Sequence, residues 1–187
     1  IYTGEDTLSL HDALPIYPRN IRYINHPAPA VQLKALEDNA GMIQYISGPT
    51  PEAQLVAVKK WPEAIRYILR PTEEAQVNAV FGHSWVIGYI AEPTLKAQKL
   101  AIYTNPSVMF DIGNFDNAVF DDDVVKNAII RKILTSLKES DFSTYTAQRF
   151  LNFLRSYEVQ WPELDIIERS VKSANNQQDD YYEGLNQ

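Results

Sequence analysis

Residues 49–70, PTPEAQLVAVKKWPEAIRYILR, run without a gap into residues 71–92, PTEEAQVNAVFGHSWVIGYIAE. Both segments open on Pro-Thr, carry Gln and Ala at the same inner positions, and place a Tyr-Ile pair two residues before their end. The register extends outward in both directions, through residues 27–48, PAPAVQLKALEDNAGMIQYISG, and residues 93–114, PTLKAQKLAIYTNPSVMFDIGN. Pro27, Pro49, Pro71 and Pro93 open the units, Gln32, Gln54, Gln76 and Gln98 follow, and Ala35, Ala57, Ala79 and Ala101 come next. Ile24, Ile46, Ile68, Ile90 and Ile112 close them, so the step is 22 residues throughout. Residues 17–24, YPRNIRYI, match residues 61–68, WPEAIRYI, displaced by two units, and the repeat therefore begins at Tyr17 in mid-unit. Self-similarity at a fixed step of this length is the mark of a repeat architecture.

Each unit reads as two short helices. Thr50, Thr72 and Thr94 are placed to cap the first, with Pro29 and Pro51 just after the cap, where a missing N–H costs nothing. Gln54, Ala57 and Val58 then share one face at three- and four-residue spacing. The second helix starts at Pro18, Pro62 or Pro106, with Asn39 or Asn105 as a cap, and turns Ile65 and Ile68 inward. Helices this short are marginal alone, because isolated helices below about 12–15 residues do not persist in water. Their stability must come from unit packing on unit. The expected fold is all-α, an α-solenoid of two-helix 22-residue units over 17–112 with a C-terminal three-helix cap over 113–173 and a polar tail over 174–187.

In the cap, Asp122 or Asp123 would start a helix running to about Lys138, with Val125, Ala128, Ile129 and Ile133 on one side. A second helix would carry Ala147, Phe150, Leu151 and Leu154, and a third, after Trp161-Pro162, Leu164, Ile167 and Val171. Residues 115–123, FDNAVFDDD, read as an acidic connector.

The pattern P-x-x-x-x-Q-x-x-A-V followed by N-P-x-x-I-x-Y-I resembles a family of short α-helical repeats found in tandem in bacterial and bacteriophage proteins and catalogued as a domain of unknown function. The resemblance spans Tyr17 to Ile112 and departs from the pattern at His83-Ser84 and at Asp111. It implies a helical array used for macromolecular contact, with a phage-encoded origin and a location in the bacterial host cytoplasm or the virion; it brings no catalytic residues. Residues 1–16 resemble something else. Thr7–Ile16, TLSLHDALPI, reads as the translation of a short-read sequencing adapter, and Ile1-Tyr2-Thr3 fits the same source. These residues are set aside as an artefact, with the expectation that the natural protein starts further upstream.

Charge narrows the function. The formal net charge is −7. Residues 17–105 hold nine cationic against seven acidic side chains, and residues 106–187 hold eight against fourteen. A general binder of phosphate backbones should be basic, so nucleic acid is an unlikely partner. With no cysteine in the chain, disulfides and thiolate metal sites are impossible. No motif for a nucleophile, a zinc site, a phosphate loop or a calcium loop is present. His26, before a proline at a unit junction, and His83, at a helix start, read as structural. The chain is therefore expected to be no enzyme and to hold no cofactor or metal. An enzymatic reading would return only if His26 or His83 met a carboxylate in a closed pocket.

Recognition by a protein partner is the expected function. Aromatic residues are enriched in interface hot spots, and Tyr23, Tyr45, Tyr67 and Tyr89 recur beside the inward isoleucines. They can either fill the seam between units or form a recognition row. Arg66 and the other residues that vary between units at that position, Arg22, Gln44 and Gly88, would carry specificity. Lys59, Lys60, Arg66 and Arg70 make a modest basic patch. A second reading is an acidic viral or phage antagonist of a host defence complex that imitates nucleic acid, acting through Asp121, Asp122 and Asp123. A third is a structural virion component, which would self-associate.

Overall fold

The computed structural model describes residues 18–138 and 143–185, without the side chains of 143, 175 and 177–185. The expectations for residues 1–16 fall outside this range. Every regular element among the described residues is helical. The chain divides into two compact units, Ile1–Phe115 and Asp116–Gln187.

In the first unit α-helices alternate with 3₁₀ helices. The α-helices are α1 (Pro29–Asp38), α2 (Pro51–Lys60), α3 (Glu73–Gly82) and α4 (Leu95–Thr104). The 3₁₀ helices are η1 (Pro18–Tyr23), η2 (Ala40–Tyr45), η3 (Pro62–Tyr67), η4 (Ser84–Tyr89) and η5 (Pro106–Asp111). Thr50, Thr72 and Thr94 cap their helices as the spacing predicts, each Oγ1 accepting from the N–H three residues on. Ala28, in the equivalent place before α1, has no side chain that can do so.

The α-to-3₁₀ junction repeats its backbone closely. Asn39, Trp61, His83 and Asn105 have φ of −150°, −147°, −144° and −146°, and each N–H bonds back to the recurring alanine four residues earlier. This extended residue breaks the α-helical course, and the asparagine side chains then accept from the second residue beyond them. Sequence predicts a second helix here but not its type. It is 3₁₀, with Ala64 N bonded to Trp61 O and Ile68 N to Ile65 O. A three-residue turn puts Ile65 and Ile68 on the same edge, and they are 1% and 5% exposed.

The core follows from this repetition. Ala35, Ala57, Ala79 and Ala101 are fully buried, as are Leu36, Val58, Val80 and Ile102 one residue further on. α1 packs on α2, α2 on α3 and α3 on α4, while η1 to η5 pack successively on one another. Small side chains at the closest approach allow short interhelical distances. His83-Ser84, which depart from the family pattern, do not shorten η4, which has the same six residues as its neighbours.

Gly82 shows how tight the fit is, since a Cβ there would lie 2.4 Å from Pro62 Cγ in the preceding unit. Gly82→Ala is therefore expected to destabilise by roughly 1–3 kcal/mol, the range for overpacking a filled site. In a Pro62→Ala background most of that loss should disappear, because Cγ is gone and only the Cβ at 3.2 Å remains close, while alanine is the better helix former. Denaturant unfolding of the four proteins measures the coupling; equal effects in both backgrounds would show that the two residues do not touch.

The second unit holds η6 (Asn117–Asp121), α5 (Asp123–Ser136), α6 (Ser143–Ser156) and α7 (Leu164–Leu185). α5 packs on α6 and α6 on α7, around Ile129, Ile133, Ala147, Phe150, Leu154 and Val171. Three differences from the sequence reading stand out. The acidic connector contains η6, which buries Val119 and Phe120 and is capped by Asp116. The last repeat extends past Ile112, because Gln98 Nε2 reaches Asn114 O at 3.1 Å, the bond that Gln76 makes to Glu92 O one unit earlier. Finally, α7 continues to Leu185 through most of the supposed polar tail. That stretch contains no proline, and its one glycine, Gly184, comes only in the last turn of the helix.

Candidate interaction surface

Two side-chain systems run through the first unit at the repeat step, one buried and one exposed. The buried system is the glutamine row. Gln32, Gln54, Gln76 and Gln98 are between 1% and 6% exposed. Each Nε2 donates to the carbonyl of the proline that opens its own unit, at 2.9 to 3.2 Å. The Oε1 atoms of Gln32, Gln54 and Gln76 accept the backbone N–H of the capping threonine of the next unit, at 3.0, 2.9 and 2.7 Å. A carboxamide suits this place because it carries a donor and an acceptor on one planar group. It satisfies backbone groups of two consecutive units that are wholly or partly withdrawn from water. The glutamines are structural, tying the segment that opens each unit to the segment that opens the next.

The exposed system lies on the 3₁₀ helices, the 3₁₀ face of the unit. Tyr23, Tyr45, Tyr67 and Tyr89 each end a 3₁₀ helix and are 67%, 44%, 40% and 41% exposed. A 3₁₀ helix turns about 120° per residue, so the tyrosine before each buried isoleucine is carried away from the core. Arg66 is exposed and lies over two of these rings, with its guanidinium carbon 5.5 Å from the Tyr67 centroid and 5.0 Å from that of Tyr89. Arg22 stands 4.6 Å above Tyr23. Trp61 and Trp85 join the row, at 5.8 Å from Tyr67 and 5.5 Å from Tyr89. Sequence reading missed these tryptophans because they occupy different positions in their units. A cleft of about 410 Å³ opens at the start of the row, between Arg19, Arg22, Asn39, Gln44, Tyr45 and Trp61.

His83 meets a carboxylate, its Nδ1 lying 2.8 Å from Glu63 Oε1, and its ring stacks on Trp85. The histidine is half exposed, so this is an open surface contact and not an enclosed acid–base pair. His26 takes a positive φ of 55°, a conformation shared with Gly48 one unit later. No group of three or more His, Cys, Asp or Glu side chains with the geometry to hold a metal occurs among the described residues. Nor is any described helix long and apolar enough to cross a membrane.

The acidic candidates belong to the second unit. Asp122 Oδ1 accepts the N–H groups of Val124 and Val125 and so caps α5. Asp123 opens that helix, where negative charge is favoured by the helix dipole, and Asp121 is exposed at the end of η6. Nearby, Phe120 packs between Tyr157 and Trp161. Lys126 reaches Glu163 Oε1 at 2.8 Å and lies 6.0 Å from the Trp161 ring centroid.

The Lys126 hydrogen bond, helped by a backbone one, holds the Glu163 carboxyl below its ordinary value of 4.5. A depressed folded-state value means the contact stabilises fully above pH 4.5 and loses its effect as pH falls through the lower value. Lys126→Met should therefore narrow the melting-temperature gap to wild type as pH drops through that window. A gap independent of pH would show that the lysine acts by packing alone.

Searches against protein-family models, curated proteins and solved structures found no match to this chain.

Proposed function

We propose that the chain is a non-enzymatic α-solenoid of 22-residue units, closed by a C-terminal helical cap, that holds a protein partner against its 3₁₀ face. The observation that carries this reading is the exposed row of Tyr23, Tyr45, Tyr67 and Tyr89, joined by Arg22 and Arg66, at the period of the buried glutamines. A soluble surface has no need of partly exposed aromatics in register over four layers, whereas Tyr, Trp and Arg are the residues that dominate interface energetics. Repeats supply such surfaces by presenting equivalent positions side by side.

Photo-crosslinking tests the reading. A benzophenone amino acid placed at Tyr45 or Tyr67 is expected to give adducts with one discrete protein in cells that naturally encode the chain. The same probe at Glu52 or Glu74, exposed on the α-helices, should give none. Adducts from both faces alike, or none from either, would contradict it. Dimers of the chain itself as the sole product would favour a self-assembling structural component.

A further inference from the structure

We propose that the occupant of the 3₁₀ face is an acidic, proline-rich segment of the partner, bound in the polyproline II conformation with one turn of ligand per repeat unit. This rests on the preceding reading that the face binds protein, and adds the chemistry and shape of what it binds.

Spacing is the first argument. Helices in contact lie about 8–10 Å apart, and η1 to η5 contact one another in sequence. A polyproline II strand repeats every three residues, a rise of about 9.3 Å. Every third residue of such a ligand therefore falls near the next tyrosine and on the same side of the strand, which a flat β-strand of period two does not achieve. Ring geometry is the second argument. Trp61 and Tyr67 are inclined at 42°, and Trp85 and Tyr89 at 80°. Such contacting, inclined rings present a ridged apolar surface on which a pyrrolidine ring can stack, as in aromatic-lined grooves for proline-rich segments, and Tyr45 and Trp61 line the cleft of about 410 Å³. A ligand already extended in solution also loses little entropy on binding.

Charge completes the case. Arg19, Arg22 and Arg66 are exposed on this face, and no described carboxylate forms an ion pair with them. Two carboxylates stand on these 3₁₀ helices: Glu63, engaged by His83, and Asp111, exposed at the end of η5, away from the three arginines in sequence. A nucleic acid strand would also stack on aromatic rings, but it brings a charge at every nucleotide and needs a run of cations to neutralise it. A few guanidiniums on a chain of net charge −7 suit a ligand with about one acid per turn.

The test uses the full chain and fluorescent ligands of about 12 residues, or four polyproline turns. Repeating Pro-Pro-Glu is compared with Pro-Pro-Lys, with Gly-Gly-Glu and with oligo-dT of similar length. Pro-Pro-Glu is expected to bind at least about tenfold tighter than each of the others. Arg66→Ala and Tyr67→Ala should each weaken it by about tenfold, with unchanged melting curves, while Asp121→Ala should not. Comparable binding of Pro-Pro-Lys removes the charge argument and overturns the proposal. Comparable binding of Gly-Gly-Glu removes the conformational one and does the same. Tighter binding of oligo-dT assigns the face to single-stranded nucleic acid instead. If no peptide binds while crosslinks from Tyr45 and Tyr67 still capture a protein, the proposal is wrong and the protein-binding reading stands; if both fail, both are wrong.

Discussion

Gln54→Leu is expected to lower the melting temperature by about 10 °C while leaving the helix content of the folded protein unchanged. Leucine nearly conserves volume, so the packing around residue 54 survives and the loss isolates the hydrogen bonds. The Pro49 carbonyl then lacks the Nε2 donor at 3.2 Å, and the Thr72 N–H lacks the Oε1 acceptor at 2.9 Å. Leaving a fully buried polar group unpaired costs about 1–3 kcal/mol; these two are part-buried, and together they give a loss of roughly 2–4 kcal/mol. In a chain of this size each kcal/mol moves the midpoint by about 2–4 °C. Because one partner lies in the next unit, the effect should also spread: amide exchange at Thr72 and in the first turn of α3 should quicken. A shift of less than about 2 °C, or faster exchange confined to α2, would mean that the amide is not a link between units.

Ala79→Leu should be worse. Ala79 has no exposed surface and sits in the middle of α3, which packs against α2 on one side and α4 on the other. Three added carbons have nowhere to go, and overpacking costs about 1–3 kcal/mol where neighbours can yield, and more where the obstacle is backbone. The expected loss is about 3 kcal/mol or more, enough to leave the first unit unfolded or expanded at moderate temperature. The matched change Asn78→Leu, one residue away and partly exposed, should cost less than about 0.5 kcal/mol. Circular dichroism and thermal melts of the two variants decide the point. Similar stabilities would show that the recurring alanines do not mark a close helix approach.

The features legible in the sequence are those that the repeat displays several times. Threonine caps, buried glutamines and alanines, and the closing isoleucines recur at one spacing, and local chemistry then gives each a role. The character of the second helix was not legible, because Ile65 and Ile68 at three-residue spacing suit α and 3₁₀ turns equally. The extended residue at Asn39, Trp61, His83 and Asn105 decides between them, and nothing common to asparagine, tryptophan and histidine announces it. η6 was hidden for a related reason: Val119 and Phe120 are adjacent, so they show no period, and the surrounding aspartates resemble a solvated connector. The exposed row was half legible. Tyrosine at a fixed position was plain, but its outward turn depends on the 3₁₀ geometry. The bridge made by Arg66 between Tyr67 and Tyr89, and the His83–Glu63 contact, join residues of different units at non-equivalent positions, where a repeat alignment carries no signal.

The central claim is that the 22-residue units stack at a constant step, and pairwise distances between equivalent sites measure it. The natural absence of cysteine allows clean double labelling, and Glu37, Lys59, Phe81 and Tyr103 occupy one repeat position, all exposed. Spin–spin distances for the pairs 37–81 and 59–103, each two units apart, should be equal within a few ångströms. Both should be narrow and near 20 Å, about twice the contact distance of packed helices. Two clearly different distances, or broad distributions for either pair, would contradict the account.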